Sequence, residues 1–217
     1  MTRMSLAAVV FVCVSLSQAL TASQQGQADA GASQAEFEAL LARVRQSDAS
    51  VDFLRLRHLY AESDTYPLSR DPAEGPMIDA VVAGRHEEGL NVAREILARD
   101  YMNIEAHFAS AVACQALGNM ECVAHHTYVA RGVIDSILAE GDGKTLATAY
   151  KVVSVPEEYA LMRVFGLRVE GQSLVGTDDG HQYDVLTVRD TTTSEVSRVY
   201  FNIDASMAAL SRKAGLK

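Results

Sequence analysis

The side chains best suited to acid–base chemistry crowd into the last third of the chain. Asp178-Asp179-Gly180-His181-Gln182-Tyr183-Asp184 sets an imidazole among carboxylates, and Asn202 and Asp204 follow on the next apolar run. A histidine beside a carboxylate can serve as a general base, its pKa raised by the adjacent negative charge. Hydrolysis by His181 with Asp184 or Asp179, near Lys144, is one chemistry these residues allow. A plainer use outweighs it, because Asp-Gly between two β-prone runs is a common hairpin turn and needs no function.

Other motifs fail on spacing. Gly141-Asp142-Gly143-Lys144-Thr145 ends like a phosphate loop, but the first glycine of G-x-x-x-x-G-K-[ST] would fall on Leu138, and the segment follows a helix pattern instead of a strand. Asp142 and Lys144 then belong to a solvated turn. There is no G-x-S-x-G around Ser173, and His86-Glu87-Glu88 lacks the second histidine of a zinc-protease helix. His107, Cys114, Cys122, His125 and His126 are of zinc-ligating types. They match no compact ligand spacing, and neighbouring histidines diverge by ~100° on a helix. No cofactor or metal is expected.

The elements that must position these residues divide the chain in two. Ser33 with Glu36 fits a capping box ahead of Phe37, Leu40, Leu41 and Val44. Ser50 opens a second helix through Phe53, Leu56, Leu59 and Tyr60, and a proline-rich turn segment from Ser63 to Pro76 ends it. Gly84 and Gly118 then recur at an offset of 34, the tetratricopeptide period. Small residues at Gly89, Ala106, Ala111 and Ala130 fall where two helices of such a unit approach closely. One tetratricopeptide-like unit with a half unit on either side covers roughly residues 76–139. Cys114 and Cys122 flank the Gly118 turn, a placement that favours a disulfide over two buried thiols that never meet.

After Gly143 the period shortens. Tyr150 to Val155 is β-prone, Ser154-Val155-Pro156 starts a short helix, and Leu167–Val175, Tyr183–Arg189 and Glu195–Asn202 alternate as strands. Their short links require antiparallel pairing. The fold class is α+β: a helical array over 33–140, a small antiparallel β-meander over 141–204, and a C-terminal tail over 205–217.

Composition narrows the setting. With 28 acidic and 19 basic residues and a net charge of −9, the chain lacks the basic face that nucleic acid requires. Arg3, the apolar run Leu6–Val14 and Ser17-Gln18-Ala19 form a cleavable secretory signal over residues 1–19, too short to span a bilayer. Val12 before Cys13 does not suit lipoprotein processing. Residues 20–32, rich in Gln, Ala and Ser, read as a flexible leader. Export to the periplasm or beyond would place Cys114 and Cys122 where thiols oxidise.

Set in order, Leu54-Arg55-Leu56-Arg57, Tyr60, Ser63-Asp64-Thr65-Tyr66-Pro67, Gly141-Asp142-Gly143-Lys144-Thr145, Glu157-Glu158-Tyr159, Gly171-Gln172-Ser173-Leu174, Gly180-His181, Tyr183-Asp184 and Tyr200-Phe201-Asn202-Ile203-Asp204 carry a resemblance. From Glu36 to Asp204 the chain resembles the bacterial domain-of-unknown-function family 4919. The likeness implies an exported protein with a helical front half and a β-bearing end, and carries over no activity. Tyr66, Asp142, Lys144, Glu158, Tyr159, Gln172, His181, Tyr183, Asp184, Asn202 and Asp204 are its candidates for a shared site or a shared structural junction.

Three functions are then expected in order: an interaction module whose helical surface binds a protein or peptide; the envelope hydrolase built on His181; and a small-ligand protein with Tyr159, Tyr183 and Tyr200 lining a pocket.

Overall fold

The computed structural model describes residues 30–215, so the expected signal and most of the leader lie outside the described residues. The first helix, α1, is already formed at residue 30 and runs through 30–45. Ser33 therefore does not cap it, and Glu36 reaches instead to Arg55, whose Nε donates to Oε1 at 2.9 Å. Phe37, Leu41 and Val44 bury one face of α1. The second helix, α2, spans Phe53–Glu62, and its cap is Asp52, not Ser50: the Asp52 carboxylate accepts from the Arg55 N–H at 2.9 Å. A carboxylate there also suits the positive end of the helix dipole.

Two helix hairpins follow. Helices α3 (Glu74–Val82) and α4 (His86–Arg99) meet across Gly84, and α5 (Ile104–Ala116) and α6 (Met120–Leu138) across Gly118. Both glycines have positive φ, +77° and +75°, a backbone state that excludes most side chains. Asn103 and Asn119 cap α5 and α6 through the N–H groups of Ala106 and Cys122. At Gly89 a Cβ would stand 2.5 Å from Val81 Cγ2, so the expected close approach of α3 and α4 is present. Cys114 and Cys122 form a disulfide with their Cα atoms 5.9 Å apart. Closing so short a loop stabilises the fold by about 2–3 kcal/mol in the chain-entropy model.

The C-terminal part is a four-stranded sheet in the order β1-β4-β3-β2, with β1 Tyr150–Lys151, β2 Leu167–Gly176, β3 Gln182–Asp190 and β4 Val196–Asn202. The three expected strands pair antiparallel, as their short links require. The sheet is mixed, however, because Tyr150 and Lys151 add a short parallel strand beside Phe201 and Asn202. Helix α7 (Val155–Val164) crosses between β1 and β2, with Pro156 in its first turn. The segment expected to be a tail is instead a helix, α8 (Asp204–Lys213). Its apolar face is mostly alanine, which left little periodic signal; Ala209 is buried, and Arg212 donates to the carbonyl of Ala61 at 2.9 Å.

One core joins both halves. Phe37, Leu56, Leu59 and Ile137 from the helices pack with Leu161 of α7 and with Leu186 and Phe201 from the inner face of the sheet. A smaller cluster of Met77, Ala93, Ile96 and Ala106 holds α3, α4 and α5 together. Among the described residues no helix is long and apolar enough to cross a membrane.

Candidate functional site

The candidate residues separate into groups with different chemistry. The first is a junction. Arg57 is fully buried on the apolar face of α2. Its Nε and Nη2 donate to the two carboxylate oxygens of Glu157 at 2.9 and 2.8 Å, and Nη2 also donates to the carbonyl of Lys151. Glu157 accepts in addition from the Val153 N–H. Tyr66 completes the seam, its hydroxyl donating to the carbonyl of Val153 at 2.7 Å. Helices α2 and α7 and strand β1 are thus tied by a paired, hydrogen-bonded ion pair, the condition under which buried charge is tolerated.

One residue further along α7 the condition is broken. Glu158 is fully buried and neither carboxyl oxygen has a hydrogen-bond partner. Burial, and then the nearby carboxylates of Asp184 and Glu157, push its pKa up to about 9, so the group is a neutral acid at ordinary pH. Asp184 lies on the α7-facing side of β3, 5% exposed, its pKa also raised by burial. Gln172 on β2 donates from Nε2 to Asp184 at 2.6 Å and accepts on Oε1 from the Tyr159 hydroxyl at 3.2 Å. Three of the candidates, Asp184, Gln172 and Tyr159, are therefore one hydrogen-bonded line from a buried acid to the half-exposed Tyr159, and a fourth, Glu158, lies beside its Asp184 end without joining it.

The expected partner of His181 is different. Its Nδ1 donates to Asp204 at 2.6 Å, not to Asp184 or Asp179, and Asp204 also accepts from Asn202 and from the Gln182 N–H. The Asp204 carboxylate raises the His181 pKa. This group fastens the start of α8 to the ends of β3 and β4, with the Tyr183 ring 6.4 Å from the imidazole. His181 is 53% exposed in its side chain and lines neither cavity described below. Asp142 and Lys144 form an exposed pair at 3.2 Å in the turn before β1. There Gly143, with φ +66°, accepts from the Tyr200 N–H, so the turn fixes β4.

A cavity lies elsewhere, along the helices. About 1090 Å³ in volume, it runs over α3 and α5, is walled by the 63–73 segment and the start of α7, and reaches Leu210 of α8. Five large apolar side chains on its lining are exposed: Leu68, Val82, Val112, Val155 and Tyr159. Tyr66 and Tyr159 line it, whereas Tyr183 and Tyr200, expected to share a pocket with Tyr159, do not. Charged groups on the lining pair off as Arg70 with Glu74, Arg99 with Asp71 and Arg163 with Glu105. Asp100 is also on the lining, and burial pushes its pKa up to about 6. A second cavity of about 520 Å³ is lined by Arg45, His125 and Tyr128 among others.

The family model described as "Domain of unknown function (DUF4919)" matches residues 25–212. The chain belongs to this family. No curated protein matches the chain, and no solved structure does. The buried or cavity-lining residues of this DUF4919 domain that the sequence did not single out as candidates are Arg57, Glu157 and the cavity lining other than Tyr66 and Tyr159. Arg57 carried a signal: it stands with Phe53, Leu56 and Tyr60 at helical spacing, a charge on an apolar face.

The histidines of α5 and α6 form a further group. His107 is 1% exposed, and its Nε2 donates to the Tyr101 carbonyl at 2.8 Å. In the neutral ring Nδ1 is then an acceptor, so the proton on the 2.9 Å contact to His126 Nδ1 belongs to His126. Burial lowers the pKa of His107 to about 3 and of His126 to about 4. His125 bridges the Tyr101 and Ser47 hydroxyls. Among the described residues no group of three or more His, Cys, Asp or Glu is placed to hold a metal ion.

Proposed function

We propose that this domain is an exported binding module that takes an apolar protein or peptide segment into the groove over α3 and α5. The observation that carries this reading is the gathering of Leu68, Val82, Val112, Val155 and Tyr159, all exposed, around one cavity. Scattered exposed apolar residues need no explanation, whereas a contiguous apolar surface with a polar rim marks an interaction site. A volume of about 1090 Å³, open to solvent, exceeds the usual 300–1,000 Å³ of a small-molecule pocket and suits an extended or helical segment.

Two features support the wider setting. The hairpins turn at glycines 34 residues apart and the groove follows the first helix of each, consistent with a tetratricopeptide-like pair. The Cys114–Cys122 disulfide suits an oxidising compartment, in keeping with the signal-like residues 1–19.

The test is site-specific photo-crosslinking in the cell envelope. A photo-reactive phenylalanine analogue at Val112 should capture a discrete partner, and the same analogue at Val196, equally exposed at 52% but on the sheet, should not. Val112→Arg should abolish capture from a second groove position, Val82. Equal capture from Val112 and Val196, or capture unaffected by Val112→Arg, would reject the groove.

A further inference from the structure

The groove is not electrically balanced, and the imbalance has an address. All three arginines on its lining are engaged, by Glu74, Asp71 and Glu105. An anionic ligand would have to break one of these pairs. Asp100 is the fourth carboxyl on the lining and makes no ion pair among the described residues. Its Oδ2 accepts from the Tyr60 hydroxyl at 2.9 Å and its Oδ1 from the Met102 N–H at 3.1 Å, both neutral donors. Tyr60 and Tyr66, with ring centroids 5.2 Å apart, are buried in the core and border the cavity beside it.

Resting on the groove reading above, we infer that the segment bound there is apolar but carries one positively charged side chain, which lies against Asp100 beside Tyr60 and Tyr66. The charged group of the ligand supplies the counter-ion that the groove lacks, while the apolar residues on either side of it cover Val112, Val155 and their neighbours. Electrostatic complementarity of this kind fixes register along a groove whose apolar lining is otherwise tolerant.

The site is also pH-dependent. Burial raises the Asp100 carboxyl to about 6, Glu74 and Asp71 add to the rise, and the Tyr60 hydroxyl and Met102 N–H oppose it. Protonation below that value removes the charge the ligand pairs with.

The experiment pans a random peptide library displayed on phage against the full exported chain at about pH 7.5 and measures enriched peptides by fluorescence anisotropy. The expected peptides are apolar with one Lys or Arg, and compete for a site lost in Val112→Arg. Replacing that Lys by norleucine, or Asp100→Asn in the protein, should each weaken binding by about tenfold or more, and the two together by no more than either alone. Lowering the pH to about 5 should weaken binding about tenfold in the wild type and leave Asp100→Asn unchanged. Thermal unfolding of Asp100→Asn serves as the folding control, and the norleucine peptide tests the pairing on unaltered protein. Enriched apolar peptides without a basic residue, or with affinity indifferent to Asp100→Asn, overturn the charge assignment and leave the groove standing. No enrichment, or binding unaffected by Val112→Arg, overturns both.

Discussion

Replacing Glu158 should make the protein more stable, by an amount set by pH. Glu158 is fully buried with no hydrogen-bond partner, and its pKa is about 9 against an ordinary 4.5. Below pH 4.5 the carboxyl is protonated in both the folded and the unfolded chain, and its titration contributes nothing to the pH dependence. Between 4.5 and 9 the unfolded chain releases the proton and the folded chain holds it, so stability falls as pH rises, by about 1.4 kcal/mol per unit. At about pH 7 the accumulated cost is about 3 kcal/mol, a large share of the 5–15 kcal/mol that holds a typical domain together. Glu158→Gln keeps the shape and removes the titration. Urea unfolding of both proteins, from about pH 4.5 to about pH 8, should give stability curves that coincide in slope at the acid end and diverge steadily above it. The amide of Gln also lacks partners, which shifts the whole difference by a constant, so the slope is the diagnostic quantity. A difference independent of pH across this range would refute the reasoning, because it would mean that Glu158 is ionised in the folded protein.

Two further predictions concern buried charge. Arg57→Met strands the Glu157 carboxylate and should cost about 3–5 kcal/mol, most of which the double variant with Glu157→Leu should recover in thermal melts; a single variant within about 1 kcal/mol of wild type would contradict the junction. Histidine 107, held neutral by burial with its pKa near 3, refuses a proton that the unfolded chain takes up below 6.5, so stability should fall as pH drops from 6.5 toward 3. His107→Phe should flatten that part of the unfolding curve, and an unchanged acid limb would sink the assignment.

Much of the architecture was legible because it rests on local signals. Glycines at Gly84 and Gly118, the Pro156 start of α7 and the alternation of the three long strands are each read from a few adjacent residues. What escaped depends on partners distant in the chain. The β-prone Tyr150 and Lys151 do form a strand, but their parallel pairing with Phe201 and Asn202 could not be read locally, and α8 is a helix with little apolar periodicity that docks by Ala209 and Arg212. The His181–Asp204 pair was hidden for the same reason: the nearer carboxylates, Asp179 and Asp184, were the natural choices by sequence, and Asp184 points to the opposite face of β3 from Tyr183. Apart from Tyr66 and Tyr159, the groove left no motif, since its exposed apolar residues are drawn from α3, α5, α7 and the 63–73 segment.

Adjacent glutamates on α7 show how a structural junction can be told from a site without comparing sequences. Both Glu157 and Glu158 are buried, both lie in the first turn, and both stood in the same motif. Glu157 spends its carboxylate fully, on Arg57 and on the Val153 N–H, and the two halves of the fold depend on that. Glu158 supports nothing: it has no donor, faces Asp184, and on the reckoning above lowers stability at neutral pH. An apolar side chain would fill its place on the face shared with Leu161 and Met162 at no such cost. The hydrogen-bonded line from Asp184 through Gln172 to Tyr159 ends on the groove wall, and Glu158 lies beside its Asp184 end, where that carboxylate helps to raise its pKa, without a hydrogen bond of its own. Stability accounts for Arg57 and Glu157; it does not account for Glu158, and its place beside the Asp184 end of the line that reaches Tyr159 is the physical reason to seek the function of that carboxyl near the groove.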